Sequence, residues 1–182
     1  MKSAVFDKAA NLPEGFRKLF ENSNVSLTVA DYKRPDCPLV GANRVFFEIS
    51  GYEPADVIGH NCRFLQPEGG AGPVTARMRR FLEDPAAKDA KFLVPNVTRD
   101  GEPFLNLVYM SKLTREGEIA LVLGSQFRVR AGREELAELY DRALREDLKR
   151  LNLLTSESNW IVLGSFEALA SSHSIIAQAR IE

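Results

Sequence analysis

Three consecutive segments with the period of β-strands, joined by two tight turns, are the feature that most constrains the fold of this chain. In its second half the spacing of apolar residues becomes the two-residue period of strands, over residues 90–98, 103–113 and 119–129. The connections, Arg-Asp-Gly-Glu at 99–102 and Arg-Glu-Gly-Glu at 115–118, carry the glycine that hairpin turns favour. The sequence therefore predicts three neighbouring antiparallel strands.

Shorter elements precede these strands. Asn43 is a good N-cap for a helix that Gly51 ends, and Pro73 suits the first turn of a further helix. In chain order we predict a partly helical lead over residues 1–22, strands over 25–29 and 38–41, and helices over 43–50, 53–58 and 73–83. Two strands, several short helices and then three strands indicate an α+β fold.

Charge and hydropathy argue against two classes of protein. The formal net charge is -1, so the chain lacks the basic excess that a broad contact with nucleic-acid phosphates requires. No apolar run approaches the roughly 18 residues that span a bilayer, and the first residues have no apolar signal core. We therefore expect a cytoplasmic protein that binds neither nucleic acid nor membrane. In that compartment Cys37 and Cys62 are expected as free thiols.

The run from Gly59 to Gln66 concentrates side chains with chemical capability. It reads Gly-His-Asn-Cys-Arg-Phe-Leu-Gln. Cysteine is a strong nucleophile, arginine binds phosphate through a bidentate fork, and carboxamides offer both a donor and an acceptor. Together they suggest a pocket for a phosphorylated, polar-edged cofactor with a thiol aimed at it. The alternatives are a buried thiol that only packs, and a Cys/His hydrolase, for which neither His60 nor His173 is well placed as a base.

The same run resembles the signature of the light-oxygen-voltage (LOV) branch of the PAS family, GxNCRFLQ, in all of its fixed letters. The predicted order of elements also matches a PAS domain, and the resemblance covers roughly residues 24–130. It implies a PAS/LOV fold, in which a five-stranded antiparallel sheet and short helices enclose a flavin. We accordingly divide the chain into an N-terminal helical cap over 1–22, a flavin-binding LOV domain over 23–130 and a C-terminal helical extension over 131–182.

The resemblance implies a blue-light photoreceptor. Members of the family bind FMN, and blue light drives a reversible bond between the cysteine sulfur, here that of Cys62, and flavin C4a, while flavin N5 takes a proton. The protein supplies placement and a dry cavity, and the cofactor supplies the chemistry. FAD and riboflavin are alternative ligands, although two arginines favour a phosphate.

The resemblance also implies which side chains hold the flavin chain and phosphate. The residues expected at the ribityl chain and phosphate are Asn61, Arg63, Gln66 and Arg79. Arg77 and Arg80, which are neighbours of Arg79, could replace it at the phosphate.

Three carboxamides on the late strands, Asn96, Asn106 and Gln126, are expected at the polar edge of the flavin ring. Buried without such a partner, each would cost about 1–3 kcal/mol. Gln126 is the expected switch, because it would donate to N5 in the dark and must rotate or change partner once N5 becomes a donor. The residues expected to pack on the ring are Leu27, Val29, Leu65, Leu107 and Leu123.

Two neighbours of these carboxamides depart from the usual pattern. Pro95 precedes Asn96 inside a predicted strand and removes one ladder hydrogen bond. Ser125 precedes Gln126 at a position where bulkier apolar residues are frequent in the family.

The C-terminal extension carries apolar stripes at helical spacing. A helix is predicted from Arg133 to Leu154, and its apolar face needs either the outer face of the sheet or a second chain as a partner. From Ser158 to Arg180 the apolar spacing alternates between four and three, as in a coiled coil; the residues are Val162, Phe166, Leu169, His173 and Ile176. We therefore expect helical extensions that form a homodimer.

Residues 157–166 resemble the first dimerisation helix of one class of histidine kinase. Trp160 stands at the position of the phosphoacceptor histidine, and tryptophan cannot accept a phosphoryl group. The extension is also too short for a complete effector. We therefore expect no enzymatic activity and a signal passed to a separate protein. The alternatives are a sensor that still takes part in histidine phosphotransfer, and a PAS interaction module that binds another ligand or none.

Overall fold

The computed structural model describes residues 3–133, 135–155, 159–164 and 171–181. Within those ranges, one antiparallel sheet of seven strands forms the centre of the protein, in the order β1-β3-β2-β6-β5-β4, and β7 pairs with β5. The strands are β1 Val5–Phe6, β2 Ser26–Asp31, β3 Leu39–Ala42, β4 Asp89–Val97, β5 Pro103–Arg115, β6 Glu118–Val129 and β7 Trp160–Val162.

Helices cover both faces of this sheet. They are α1 Phe16–Asn22, α2 Arg44–Ser50, α3 Pro54–Val57, α4 Val74–Glu83, α5 Glu135–Thr155 and α6 Ser172–Ile181, with a 3-10 turn at Cys62–Leu65. The face that packs with α2, α3, α4 and the 3-10 turn is called the inner face. The opposite face packs with α1 and α5 and is called the outer face. None of the described helices is long and apolar enough to cross a membrane.

The sequence predicted the central elements well because their ends carry explicit signals. Asn43 caps α2: its Oδ1 accepts from the backbone N–H of Phe46 at 3.2 Å and from that of Leu27 at 3.0 Å. Gly51 ends the same helix in a left-handed conformation, with φ of 76°. Glu116 and Gly117 both have positive φ, which is the geometry of a tight hairpin turn between β5 and β6.

The N-terminal lead contains the predicted helical part, and it also contributes a strand, β1, that the sequence did not predict. This strand pairs with β3, with Val5 opposite Ala42 and Phe6 opposite Gly41. The Phe6 ring lies where a side chain at position 41 would be: a Cβ on Gly41 would come within 2.6 Å of Phe6 Cδ1. Two residues are too short for a readable period, so only the long-range pairing reveals this strand.

The helix predicted from Ser158 to Arg180 is wrong in its first part. Trp160–Val162 is strand β7, which pairs with Leu113–Arg115 of β5. Trp160 is buried under the guanidinium of Arg115, 5.6 Å from the ring centroid, and the following Ile161 is exposed. An aromatic residue followed by two β-branched residues favours a strand at a free stretch of sheet edge. The likeness to a kinase dimerisation helix is therefore one of letters and not of structure.

The rest of that predicted segment divides between described and undescribed residues. Gly164 follows β7 with φ of 84°, and α6 begins only at Ser172. Of the predicted stripe, Ile176 is buried and His173 is exposed. Phe166 and Leu169 lie outside the described residues.

The helix predicted from Arg133 to Leu154 is confirmed as α5, and its apolar stripe packs within the chain. The buried residues of the stripe join the outer cluster with Phe16 and Phe20 of α1; they are Tyr140, Leu144, Leu148 and Leu151. Of the two partners that the sequence left open, the outer face of the sheet is the one that the structure shows.

Candidate functional site

A cavity lies between the inner face of the sheet and the helical side of the domain. Strands β2, β4, β5 and β6 form one wall, and the 3-10 turn, α4 and Phe46 of α2 form the other. Six of the predicted residues line it, whereas Arg63 and Arg79 do not; the six are Asn61, Cys62, Gln66, Asn96, Asn106 and Gln126.

The prediction of which apolar residues face the cavity was mostly wrong. Leu65 lines it, but the other four lie in the outer cluster: Leu27, Val29, Leu107 and Leu123. Their immediate neighbours take the inner positions, namely Thr28, Ala30, Val108, Val122 and Gly124. A shift of one residue along a strand turns the side chain to the opposite face.

Gly124 leaves room for two polar side chains on the floor of the cavity. A Cβ at this position would lie 2.5 Å from Thr28 Oγ1 and 3.2 Å from Gln126 Nε2. Any larger residue would displace the two polar side chains beside it.

Cys62 is presented to the cavity by the 3-10 turn. Asn61 caps this turn, with its Oδ1 accepting from the backbone N–H of Arg63 at 2.9 Å. Tyr52 fixes the other side, since its hydroxyl donates to the Phe64 carbonyl at 3.2 Å and the two rings lie 4.9 Å apart. Burial raises the pKa of the Cys62 thiol, and the nearby Arg63 charge only partly offsets this effect. The thiol is therefore protonated at neutral pH.

Asn96 and Asn106 form a polar patch on β4 and β5. Asn106 Nδ2 donates to Asn96 Oδ1 at 2.8 Å, and Asn96 Nδ2 donates to the carbonyl of Pro95 at 2.9 Å. Asn106 Oδ1 is buried and has no hydrogen-bond partner among the described residues. An unpaired buried acceptor costs about 1–3 kcal/mol, which a ligand N–H in the cavity would offset.

Pro95 is accommodated because of where β4 lies in the sheet. This strand is at an edge, and its pairing with β5 runs without a register shift from Asp89 to Val97. A proline is tolerated at such an edge because its missing N–H can face away from the neighbouring strand.

Gln126 is held between two hydroxyls of β2. Ser26 Oγ donates to Gln126 Oε1 at 2.5 Å, and Gln126 Nε2 donates to Thr28 Oγ1 at 3.0 Å. Residues 26 and 126 face each other across the β2–β6 ladder. The amide is thus oriented within the wall of the cavity, with a hydroxyl on each side that can act as donor or acceptor.

The two arginines lie outside the cavity. Arg63 is 58% exposed, and its fork binds the carboxylate of Asp36 at 2.5 and 2.6 Å. This pair lowers the pKa of Asp36, chiefly through the hydrogen bond from Arg63. Arg79, like its neighbours Arg77 and Arg80, is exposed on α4.

The helix α4 is nevertheless firmly docked beside the cavity. Met78 and Leu82 on its inner side line the cavity. Its last carbonyls are bound by Lys112, whose Nζ donates to the carbonyls of Phe81 and Asp84, each at 2.7 Å. The backbone of α4 at Arg79 is therefore held next to a wall of the cavity.

The chemistry of the residues that line the cavity fits a flavin. Apolar strand residues form a wall against which a planar ring can stack, and Asn96, Asn106 and Gln126 provide donors and acceptors along it. Within the described ranges no cluster of His, Cys, Asp and Glu side chains is suited to a metal ion.

The comparisons with known proteins agree with this geometry. The family model of the PAS domain matches residues 25–127. The chain belongs to the PAS domain family. It is 27% identical to the LOV protein of Rhodobacter sphaeroides, whose crystal structure superposes with a TM-score of 0.75 over 93% of this chain and 96% of that one. The LOV domain of a blue-light activated histidine kinase from Erythrobacter litoralis gives 32% identity and a TM-score of 0.54, covering 58% of this chain and 96% of that one.

Curated relatives place this PAS domain in the LOV branch. The chain is 31% identical over 170 residues to a blue-light-activated histidine kinase of Rhizobium johnstonii, covering 88% of this chain. It is also 31% identical over 137 residues to phototropin-2 of Oryza sativa subsp. japonica, covering 74% of this chain. The chain spans 49% of that kinase and 15% of that phototropin. The predicted PAS/LOV fold and membership of the family are confirmed.

Sequence reasoning missed a second thiol in this LOV cavity. Cys37 lines the cavity together with Cys62, and both are free. Burial raises the pKa of Cys37 to about 12, and the neighbouring Cys62 adds to the effect. Cys37 and Asp36 both have positive φ, a backbone conformation that L-residues rarely adopt. The only sequence signal was a cysteine between Asp36 and Pro38, in a loop whose folding back cannot be read from local spacing.

Proposed function

We propose that this LOV domain is the sensory part of a blue-light photoreceptor that binds FMN in the inner cavity and uses Cys62 as its photoreactive thiol. One observation carries the proposal: a protonated thiol and an unpaired buried acceptor, Asn106 Oδ1, share one largely apolar cavity. The names of the matched relatives, which are blue-light-activated kinases, phototropins and LOV proteins, support light as the stimulus.

The residues of this chain supply placement and a proton. A bound flavin supplies absorption of blue light and, once excited, an electrophilic ring carbon, C4a. Cys62 would supply both the sulfur that adds reversibly to that carbon and the proton that the adjacent ring nitrogen, N5, takes up. A protonated Cys62 is the form that balances this reaction, because it delivers the sulfur and the proton together.

Gln126 is the proposed sensor of that proton. Its amide donates through Nε2 to Thr28 Oγ1 and accepts through Oε1 from Ser26. When the neighbouring ring nitrogen changes from acceptor to donor, the favoured orientation of the amide reverses. Replacing Gln126 by Leu removes the amide that responds to this change, while the thiol and its cavity remain.

We propose FMN over riboflavin because of the basic groups beside the cavity. Arg63 and Arg79 carry the charge that a phosphate needs, and Asn61 and Gln66 line the cavity. Arg63 would exchange the Asp36 carboxylate for the phosphate, which is the same bidentate chemistry.

The experiment is the absorption spectrum of the purified protein before blue light, directly after it and during dark recovery. We expect a structured flavin band that bleaches and returns. Cys62→Ala should keep the flavin but lose the cycle, whereas the matched control Cys37→Ala should keep both. A full cycle in Cys62→Ala, or a protein that stays colourless after incubation with FMN, would remove the proposal.

The proposal includes a receptor without phosphotransfer of its own, acting in the cytoplasm on a separate protein. The letters that resemble a kinase dimerisation helix supply no phosphoacceptor: Trp160 stands where the histidine would be, and it belongs to strand β7, where it is buried under Arg115. The check is incubation with radiolabelled ATP in light and darkness, where the label should stay off the protein.

The homodimer also remains a proposal. Because the stripe of α5 packs on the sheet, Leu139, which is 54% exposed, is an apolar contact that this helix offers to a second copy of the chain. Light scattering on the wild type and on Leu139→Glu tests this, and a monomeric wild type would contradict it.

A further inference from the structure

The sheet between the flavin cavity and α5 is crossed by a continuous set of hydrogen bonds. Ser26 Oγ donates to Gln126 Oε1 at 2.5 Å on the inner face. The carbonyl of the same Ser26 accepts from Ser125 Oγ at 2.8 Å. Ser125 Oγ in turn accepts from the hydroxyl of Tyr140 on α5 at 2.9 Å. All four residues are buried.

This path exists because two consecutive residues of β6 face opposite sides of the sheet. Gln126 lines the cavity, and Ser125 faces the outer cluster that contains Tyr140. Ser26 joins them, since its side chain contacts one and its backbone carbonyl contacts the other. A bulkier apolar side chain at position 125 could not hydrogen-bond to either Ser26 or Tyr140.

We propose that Ser125 and Tyr140 are positioning residues that couple the Gln126 amide to α5, so that the light signal leaves the cavity directly through the sheet. The inference rests on the proposed function, since it takes reversal of the Gln126 amide as its input. It adds a route and a receiving residue on the far side of the sheet.

The chemistry of the hydroxyls sets the direction of the coupling. Ser26 now donates to an amide oxygen, and after the amide rotates it would face an amide N–H₂ group. Two donors cannot bond, so the Ser26 hydroxyl must turn to accept. The new contact differs in strength and geometry from the old one and so shifts Ser26, whose carbonyl accepts from Ser125, while the Ser125 hydroxyl accepts from Tyr140.

Tyr140 is well suited to receive this displacement. Burial raises the pKa of its phenol well above the ordinary range, so the hydroxyl stays a donor. Its ring stacks on Phe127 of β6, with the centroids 4.9 Å apart. The side chain is therefore fixed at both ends, and a shift at Ser125 is carried to the helix backbone instead of being absorbed by a loose rotamer.

The next residue on α5 extends the coupling to α6. Asp141 accepts from Lys91 Nζ of β4 at 3.2 Å and from the backbone N–H of Ser172 at 2.9 Å. Ser172 is the first residue of α6, and its hydroxyl also donates to Asp141. A displacement of α5 at Tyr140 therefore also shifts Asp141 and perturbs its hydrogen bonds to Ser172 at the start of α6.

The test measures hydrogen–deuterium exchange of α5 and α6 amides in the dark and under blue light, alongside the absorption cycle. The variants are Tyr140→Phe and Ser125→Ala, with Ser125→Thr as the conservative change that keeps a hydroxyl. Tyr32→Phe is the matched control, because it removes another phenol hydroxyl, one that donates to the carbonyl of Leu82 on α4 and lies outside the path from Gln126 to Tyr140.

We expect the wild type, Ser125→Thr and Tyr32→Phe to show the same light-dependent rise in exchange around Tyr140 and Ser172. Tyr140→Phe and Ser125→Ala should keep the bleaching cycle. The light–dark difference in amide exchange should fall to roughly a third of the wild-type value or less. A merely structural role would raise exchange equally in both states and leave the difference intact.

An undiminished difference in both variants, with a normal cycle, would overturn the coupling alone. A wild type that does not bleach would overturn the proposed function and the coupling with it. The two failures are therefore distinguishable.

Discussion

The two faces of the sheet are made from the same strands but perform different tasks. On the inner face, small or polar side chains such as Ala30, Gly124 and Gln126 leave a cavity. On the outer face, large residues such as Leu123 and Tyr109 pack tightly against α5. A face that holds a ligand has space where a core would have side chains. Mutations on the outer face should therefore affect stability, and mutations on the inner face should affect the photocycle or binding.

The largest effect on the outer face is expected for Leu144→Ala. Leu144 is fully buried in the outer cluster, and truncation of such a residue costs about 2–5 kcal/mol. Chemical denaturation should show this loss, while the protein that remains folded keeps its absorption cycle. The cavity-lining Leu65→Ala is the comparison, and it should lose less stability and more flavin affinity. Equal losses of stability would break the distinction between the faces.

Gln126→Leu should have the next largest effect, and it should be functional. Leucine fills the same position but cannot donate, accept or reverse, so the light-dependent change in α5 should be lost and the spectral shift reduced. Circular dichroism and absorption before and after light provide the measurement. Unchanged behaviour in both would remove Gln126 as the link between the faces.

Removal of the arginines beside the cavity should have a moderate effect that depends on the ligand. Arg63→Ala and Arg79→Ala should each weaken FMN binding roughly tenfold, which is about 1.4 kcal/mol, through loss of a charge-assisted contact to phosphate. Riboflavin lacks the phosphate, so its affinity should stay the same. Arg77→Ala is the matched control on α4, and an equal loss there would indicate a general charge effect.

An effect that is absent at neutral pH is a dependence of stability on alkaline pH, which comes from Cys37. Its pKa is raised from 9.0 to about 12 by burial, so the folded state keeps a proton that the unfolded chain loses first. This contribution to the free energy of unfolding is complete below pH 9 and is lost as the pH rises towards about 12. Denaturation of wild type and Cys37→Ala across that window should show a steeper decline for the wild type. Parallel curves would contradict the burial of this thiol.

The sequence was most informative where a motif or an end signal exists. The cap at Asn43 is confirmed, and Cys62 and the three carboxamides line one cavity. Alternation revealed that the strands have two faces but not which face is which. Leu27 and Val29 are larger and more apolar than Thr28 and Ala30, so they were assigned to the cavity. The small residues line it instead, because a cavity needs space beside its walls.

Long-range pairing was the other limit of the sequence. β1 and β7 are two and three residues long, and each is defined by its partner strand, β3 or β5, more than by its own pattern. Cys37 reaches the cavity only because its loop folds back, and Ser125 gains its role only when Tyr140 is packed above it. Such contacts join residues that local spacing cannot relate.

We expect Cys62, and not its neighbour Cys37, to be the thiol that reacts with the flavin after illumination. The most direct measurement is the infrared S–H stretching region, recorded as a light-minus-dark difference on the flavin-loaded protein. The account predicts that one S–H band disappears in light and returns in the dark, in the wild type and in Cys37→Ala but not in Cys62→Ala. Loss of a thiol band in Cys62→Ala, or two unchanged bands in an illuminated wild type, would contradict it.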